Sequence, residues 1–335
     1  MKTYSTRLRM IATYILLLGL AVWFIIMGWW IALAIEIVLY IAGVVGISFF
    51  MVSFILKRKT PVSLGDVIGL SEGGELSEHV KDAVEWLETG ELWEQTSEDG
   101  LKLQGRFVKN GDSHTYAVCC HGYKNHRMQD ISNQAKHFYD LGHNVFAGHA
   151  RGHGRSEGDY VGMGYFERRD VAGWIKRIVD MDPDARIFLF GVSMGGATVM
   201  TTSGEDLPDN VKCVIEDCGY SSIWKEFCHQ LTGTYGIHVH PVLDLSQMIC
   251  KSRYGFGFKD HSALEQIKKA KVPFLFIHGD KDNFVPFFML EPLYNACASE
   301  HKKKVIIKDS AHAENYFTDA KLYWSEIEGW LDRYL

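Results

Sequence analysis

From Met10 to Leu56 the chain carries a single acidic or basic side chain, Glu36. The run is about 47 residues, or roughly 70 Å as helix, against about 30 Å of bilayer hydrocarbon. One span would overshoot twofold, whereas two antiparallel spans fit, with the turn near Gly28–Trp30, where tryptophans suit the membrane interface. Lys2, Arg7 and Arg9 precede the run and Lys57, Arg58 and Lys59 follow it. Basic residues at both ends place both on the cytoplasmic side. A cleaved signal peptide is the rival reading, because Ala32–Ala34 resembles a cleavage site. Its apolar stretch would be too long, however, and bulky tryptophans crowd the cut. The expectation is a membrane anchor of two transmembrane helices over residues 1–59, in a multi-pass cell-membrane protein.

At 335 residues the chain has room for a large domain beyond this segment. Seven cysteines form no regular spacing, and Cys119 and Cys120 sit in an apolar run, which suits reduced, buried thiols better than a disulfide framework. A net charge of -6 gives no sign of nucleic-acid binding. Residues 60–90 read as a connector ending in a short amphipathic helix, with Ser77 as its N-cap and Val80, Val84 and Leu87 at helical spacing.

From residue 91 onward short apolar runs alternate with amphipathic stretches. "YAVCCHG", "NVFAGH", "RIFLFG", "VKCVIEDC", "PFLFIHG" and "KVIIKDS" read as strands. Near-continuous apolar strands separated by helices imply an α/β fold, a mostly parallel sheet covered by helices on both faces. "LWEQTSEDGLKLQGRFVK" differs: its Glu-Asp-Gly turn makes it a hairpin at the sheet edge. Between "VIEDC" and "PFLFIHG" lies an interval far above ordinary connection length. It holds Trp224, Phe227, Tyr235, Tyr254, Phe256 and Phe258, and is expected to be a small cap at about 219–271.

The pentad Gly-x-Ser-x-Gly occurs three times, at Gly69–Gly73, Gly154–Gly158 and Gly191–Gly195. In a chain this rich in glycine the pentad alone says little. A nucleophilic serine needs a strained strand-to-helix turn. Only "GVSMG" is entered by a strand, "RIFLF", and left by a small-residue helix start, "GATVM". Ser193 is therefore the candidate nucleophile, with Gly191 and Gly195 allowing strand and helix to crowd together.

A serine hydroxyl needs a base, and the base needs an orienting acid. In a sheet-based site the order is Ser, then Asp or Glu, then His. Asp280 and Asp282 both follow "PFLFIHG", and His312 follows the last strand; His301 competes but lies in a charged segment. Two donors must hold the oxyanion. The backbone N–H of Met194 is one; the other is the N–H of Tyr123 in "CCHGYKNH", with Gly122 permitting close approach. The chemistry requires no metal and no cofactor. His121, His126, His137, His143, His149 and His153 cluster in sequence without the tight ligand spacing of a metal site.

The ordered landmarks "HGYKNH", "RGHGRSEG", "GVSMGG", "HGDKDNFVP" and "SAH" over residues 91–334 resemble the α/β-hydrolase superfamily. In detail they are similar to bacterial hydrolases of the serine-aminopeptidase-like or prolyl-oligopeptidase-like group, a likeness strengthened by "EDCGYSS" and "TSEDGLKLQG". The resemblance implies Ser193 as nucleophile, His312 as base and Asp282 as acid, since the family pattern His-Gly-x-x-Asp runs here from His278 to Asp282. His149 stands where the family usually has Asp, and the lipase-type HGGG motif is absent. The expected function is a membrane-anchored serine hydrolase, its catalytic domain (residues 91–335) cytoplasmic, cleaving carboxylic esters of small-molecule or lipid-like acyl substrates. A peptidase, amidase or thioesterase would use the same residues, and a non-catalytic scaffold would keep the fold.

Overall fold

The computed structural model describes residues 2–27, 30–58 and 78–335. The expected turn residues Gly28 and Trp29, the pentad at Gly69–Gly73 and the N-cap Ser77 lie outside the described residues. Two apolar helices, α1 (Lys2–Ile26) and α2 (Trp30–Leu56), precede α3 (Glu78–Glu88) and the edge strands β1 (Glu91–Thr96) and β2 (Lys102–Val108). Then come β3 (Thr115–Cys120), α4 (Gln129–Asp140), β4 (Asn144–Gly148), α5 (Glu167–Met181), β5 (Arg186–Val192), α6 (Met194–Thr202) and β6 (Val211–Asp217). Helices α7 (Ile223–His229) and α8 (Val242–Tyr254) follow, and the chain closes with β7 (Phe274–Gly279), α9 (Leu290–Ala296), β8 (Lys302–Ile307) and α10 (Ala320–Tyr334).

Contacts divide these elements into two compact units, residues 56–223 with 261–335, and residues 1–55 with 224–260. The first holds an eight-stranded sheet in the order β1-β2-β4-β3-β5-β6-β7-β8. The expected hairpin is there at the edge: β1 pairs antiparallel with β2, and β2 antiparallel with β4, while every pairing from β4 to β8 is parallel. Strand alternation supplies two apolar faces. Phe188, Phe190 and Val192 of β5 join one core with Ile131, Ala135 and Phe138 of α4 and Tyr323, Ile327, Trp330 and Leu331 of α10. On the other face Phe146 of β4 packs against Trp174 of α5, ring centroids 4.6 Å apart. Both faces are thus covered, as the unbroken apolar strands require.

The strand order carries the functional consequence. From β3 the chain steps to β4 on one side, and the later parallel strands then build outward from β3's other side, beginning with β5. The C-terminal ends of β3 and β5 therefore face a crevice where connections leave in opposite directions, the usual ligand position in such sheets.

In the second unit the Ser48 hydroxyl of α2 donates to the Val242 carbonyl at 2.9 Å, and Ser246 donates to the same oxygen at 2.8 Å. Tyr14 of α1 meets His238 edge-on at 4.9 Å. Phe227, Phe256 and Phe258 are buried, so half of the aromatics noted in the long interval form that segment's own core. Helix α2, at 27 residues, is long and apolar enough to cross a bilayer. Its Ile31, Val38, Leu39 and Phe50 are all exposed. The seven cysteines are unpaired, and all but Cys228 are buried.

Candidate active site

The site is built first from backbone. β5 runs into α6 through Ser193, which takes φ 58° and ψ -116°, a strained conformation for a residue with a side chain. A Cβ on Gly191 would lie 2.2 Å from the Gly195 carbonyl oxygen, and one on Gly195 would lie 1.9 Å from that of Cys120 on β3. Only glycine fits at either position, which is the physical content of the pentad here. The Ser193 N–H donates to the Asp217 carbonyl at 2.8 Å, so β6 holds the turn from the far side.

The pentad at Gly154–Gly158 behaves differently. Ser156 is fully buried, donates to the His149 carbonyl at 2.6 Å and accepts from the Gln104 N–H at 2.9 Å; it fastens a loop. The Gly69–Gly73 copy lies outside the described residues.

Around Ser193 the structure brings together side chains from three strand ends. Ser193 Oγ lies 2.8 Å from His312 Nε2, and His312 Nδ1 lies 2.7 Å from Asp282 Oδ2. Asp282 Oδ1 accepts the N–H groups of Phe284 and Val285, both at 2.9 Å. Burial works to raise the Asp282 pKa, but the charge of His312 and hydrogen bonds from His278 and His312 outweigh it and hold Asp282 at about 2. Of the two aspartates left open by the strand reading, Asp280 instead accepts the Asp309 N–H at 2.7 Å and only joins two loops. His301 is exposed and pairs with the ring of Tyr334.

The expected oxyanion donors sit at the mouth of β3 and β5. Met194 is the first residue of α6, so its N–H precedes the helical ladder. Gly122 crosses directly above the serine: a Cβ there would lie 3.5 Å from Ser193 Cβ. Tyr123 follows it in the same loop. A residue not anticipated from sequence holds this loop down. Asp130, on the first turn of α4, accepts the Gly122 N–H at 2.6 Å, and burial pushes its pKa up to about 7. An aspartate at a helix start is too common to have been singled out.

His278 was also missed as a participant, although it is the first residue of the His-Gly-x-x-Asp frame. It lies behind Asp282, donating through Nε2 to the Val285 carbonyl at 2.9 Å and approaching Asp282 Oδ2 at 3.3 Å. The acid thus stands between two imidazoles. Asp217 forms a further brace, accepting from Asn315 Nδ2 at 2.6 Å and from the Tyr323 hydroxyl at 2.8 Å.

Three of the sequence-clustered histidines act as loop buttresses. His121 Nε2 accepts the Ala150 N–H at 3.1 Å, His153 Nε2 that of Lys124 at 2.9 Å, and His126 Nδ1 that of Gly154 at 3.1 Å. A nitrogen that accepts from backbone has no lone pair left for a metal. His149, where a family aspartate is usual, is buried with neither ring nitrogen hydrogen-bonded, and burial lowers its pKa to about 3. It is a neutral packing residue.

Sheet order, tight turn and opposed loop define the class: the chain is an α/β-hydrolase in fold. The serine aminopeptidase family model matches residues 111–244. Protein YqkD of Bacillus subtilis is 27% identical over 237 residues, spanning 70% of this chain and 76% of that relative. YNL320W, a membrane protein of Saccharomyces cerevisiae, is 26% identical over 239 residues, spanning 70% of this chain and 77% of its own. Esterase Pf2001 of Pyrococcus furiosus matches with a TM-score of 0.59 at 21% identity, covering 78% of this chain and 95% of that one. These likenesses support a hydrolase.

Two expectations follow from the geometry. Gly195→Ala loses thermal stability, whereas Gly329→Ala, at an exposed position of α10 with nothing within 4 Å, is neutral or stabilising by up to about 1 kcal/mol; melting curves of the two variants check this. Because the folded Asp282 pKa lies below its unfolded value, its ionised form stabilises the fold above about pH 4, and that contribution is lost as pH falls toward about 2. The melting-temperature gap between wild type and Asp282→Asn therefore shrinks as the pH falls below about 4.

Proposed function

We propose that the protein is a membrane-anchored serine hydrolase cleaving carboxylic esters through an acyl-enzyme. The observation that carries this reading is the continuous hydrogen-bonded chain from Ser193 Oγ through both nitrogens of His312 to Asp282. Asp282 stays ionised and fixes the imidazole with Nδ1 protonated, leaving the Nε2 lone pair facing the serine. As Ser193 attacks the acyl carbon, His312 takes its proton; the imidazolium then returns a proton to the leaving alkoxide. The negative oxygen of the tetrahedral intermediate is received by the N–H groups of Met194 and Tyr123. Water, activated by the same histidine, releases the acid and restores the serine.

Amide, peptide and thioester bonds would meet the same residues, and the match to a serine aminopeptidase family favours the peptidase among these alternatives. Membrane attachment draws support from the apolar length of α2, the exposed apolar side chains on α1 and α2, and the yeast membrane relative. The plan of an anchor over 1–59 with both ends cytoplasmic, a connector over 60–90 and a hydrolase domain over 91–335 with its cap at about 219–271 belongs to this proposal.

Ser193→Ala abolishes labelling by a fluorophosphonate probe and lowers ester turnover by about three or more orders of magnitude. Full labelling and turnover in that variant would remove the assignment. Attachment is read by alkaline extraction of membranes: the full chain stays in the pellet, while release into the supernatant would leave a soluble hydrolase.

A further inference from the structure

Beside the proposed catalytic residues sits a side chain that the mechanism leaves idle. Cys218 follows β6 with φ 49°, its N–H donating to the Ile277 carbonyl of β7 at 2.9 Å, and its side chain is fully buried. One donor atom each from Cys218, Asp282 and His312 lie within 4.8 Å of one another. Some point is then within about 2.8 Å of all three, against zinc bonds of about 2.0–2.3 Å to nitrogen, oxygen and sulfur. A sub-ångström contraction closes the triangle. Thiolate, imidazole and carboxylate together make a donor set suited to Zn2+ and poorly suited to Mg2+ or Ca2+.

The surroundings favour a cation. The ionised Asp282 carboxylate offers an oxygen within 4.8 Å of the Cys218 sulfur. A divalent ion at this point would meet the Asp282 carboxylate and supply the charge that lets the thiol ionise. His312 and Ser193 keep 7% and 8% of their surface open to solvent, whereas Cys218 keeps none.

We propose that Zn2+ binds Cys218, Asp282 and His312 as an inhibitory ion that switches the hydrolase off. The proposal rests on the assignment of His312 as the general base. Binding forms Zn–S, Zn–O and Zn–N bonds, the thiol proton leaves to solvent, and nothing is oxidised or reduced. Whichever ring nitrogen the ion takes, the base is lost. At Nε2 the metal occupies the lone pair that faces Ser193. At Nδ1 it forces the ring proton onto Nε2, which then cannot accept from the hydroxyl. Asp282 is drawn from its role in either case.

The test uses the full chain in detergent, with an ester substrate for activity and Co2+ as a spectroscopic stand-in for zinc. The expected results are inhibition by Zn2+ that EDTA reverses, and a thiolate-to-cobalt charge-transfer band in the Co2+-loaded protein. In Cys218→Ala and Cys218→Ser the half-inhibitory zinc concentration, taken against each variant's own zinc-free rate, rises by at least about tenfold, the loss that even an outer partner of a metal ligand causes. The thiolate-to-cobalt band is absent in both. Equal zinc sensitivity in wild type and both variants, or no thiolate band in wild type, overturns the proposal. A protein that shows the band but turns over no acyl substrate retains the metal site, and it is the hydrolase assignment that fails.

Discussion

The close approach of bare backbone at Gly191, Gly195 and Cys120 is the constraint on which the rest of the site depends. Two missing Cβ atoms let α6 begin against the ends of β3 and β5 rather than a side chain's width away. That approach forces Ser193 into its strained turn, sets the first N–H of α6 beside it, and brings the Gly122 loop overhead. Strain of this kind persists only where surrounding contacts over-determine it. Here the Asp217 carbonyl holds Ser193 from one side, and Asp130 holds Gly122 from the other.

Buried carboxylates crowd this end of the sheet, and their surroundings sort them. Burial raises Glu216 to about 8 and Asp130 to about 7, so both are readily protonated. Asp282 is as thoroughly enclosed, yet two imidazoles and two backbone N–H groups hold it near 2. Asp282 thereby keeps its negative charge where it contacts His312, while burial favours the uncharged forms of Glu216 and Asp130.

Legibility in the sequence followed the range of the physics involved. Strand periodicity is local, and the parallel core, the edge hairpin and the buried face of α10 were all visible in it. Ser193 stood out because a strand before and a small-residue helix after are also local signals. Asp282 against Asp280 was beyond residue-by-residue reading, since both follow β7; only a family pattern separated them, and it is Asp282 that lies against His312. Asp130, His278 and Cys218 were hidden for the same reason. Each acts through a partner on another strand, and nothing in its own neighbourhood marks it. The roles of the clustered histidines were equally hidden: His121, His126 and His153 each accept a backbone N–H from a segment distant in sequence.

The unit that joins residues 1–55 to 224–260 has a consequence for how the chain is made. Ser48 and the Val242 carbonyl it binds are 194 positions apart. At a synthesis rate of about 5–20 residues per second, the partner emerges roughly 10–40 seconds after the helix that needs it. Throughout that interval the Ser48 hydroxyl is without its native partner, while much of the sheet is being laid down between the two halves. Biogenesis of this protein therefore includes a waiting period at its N-terminal helices, ended only when the insert arrives.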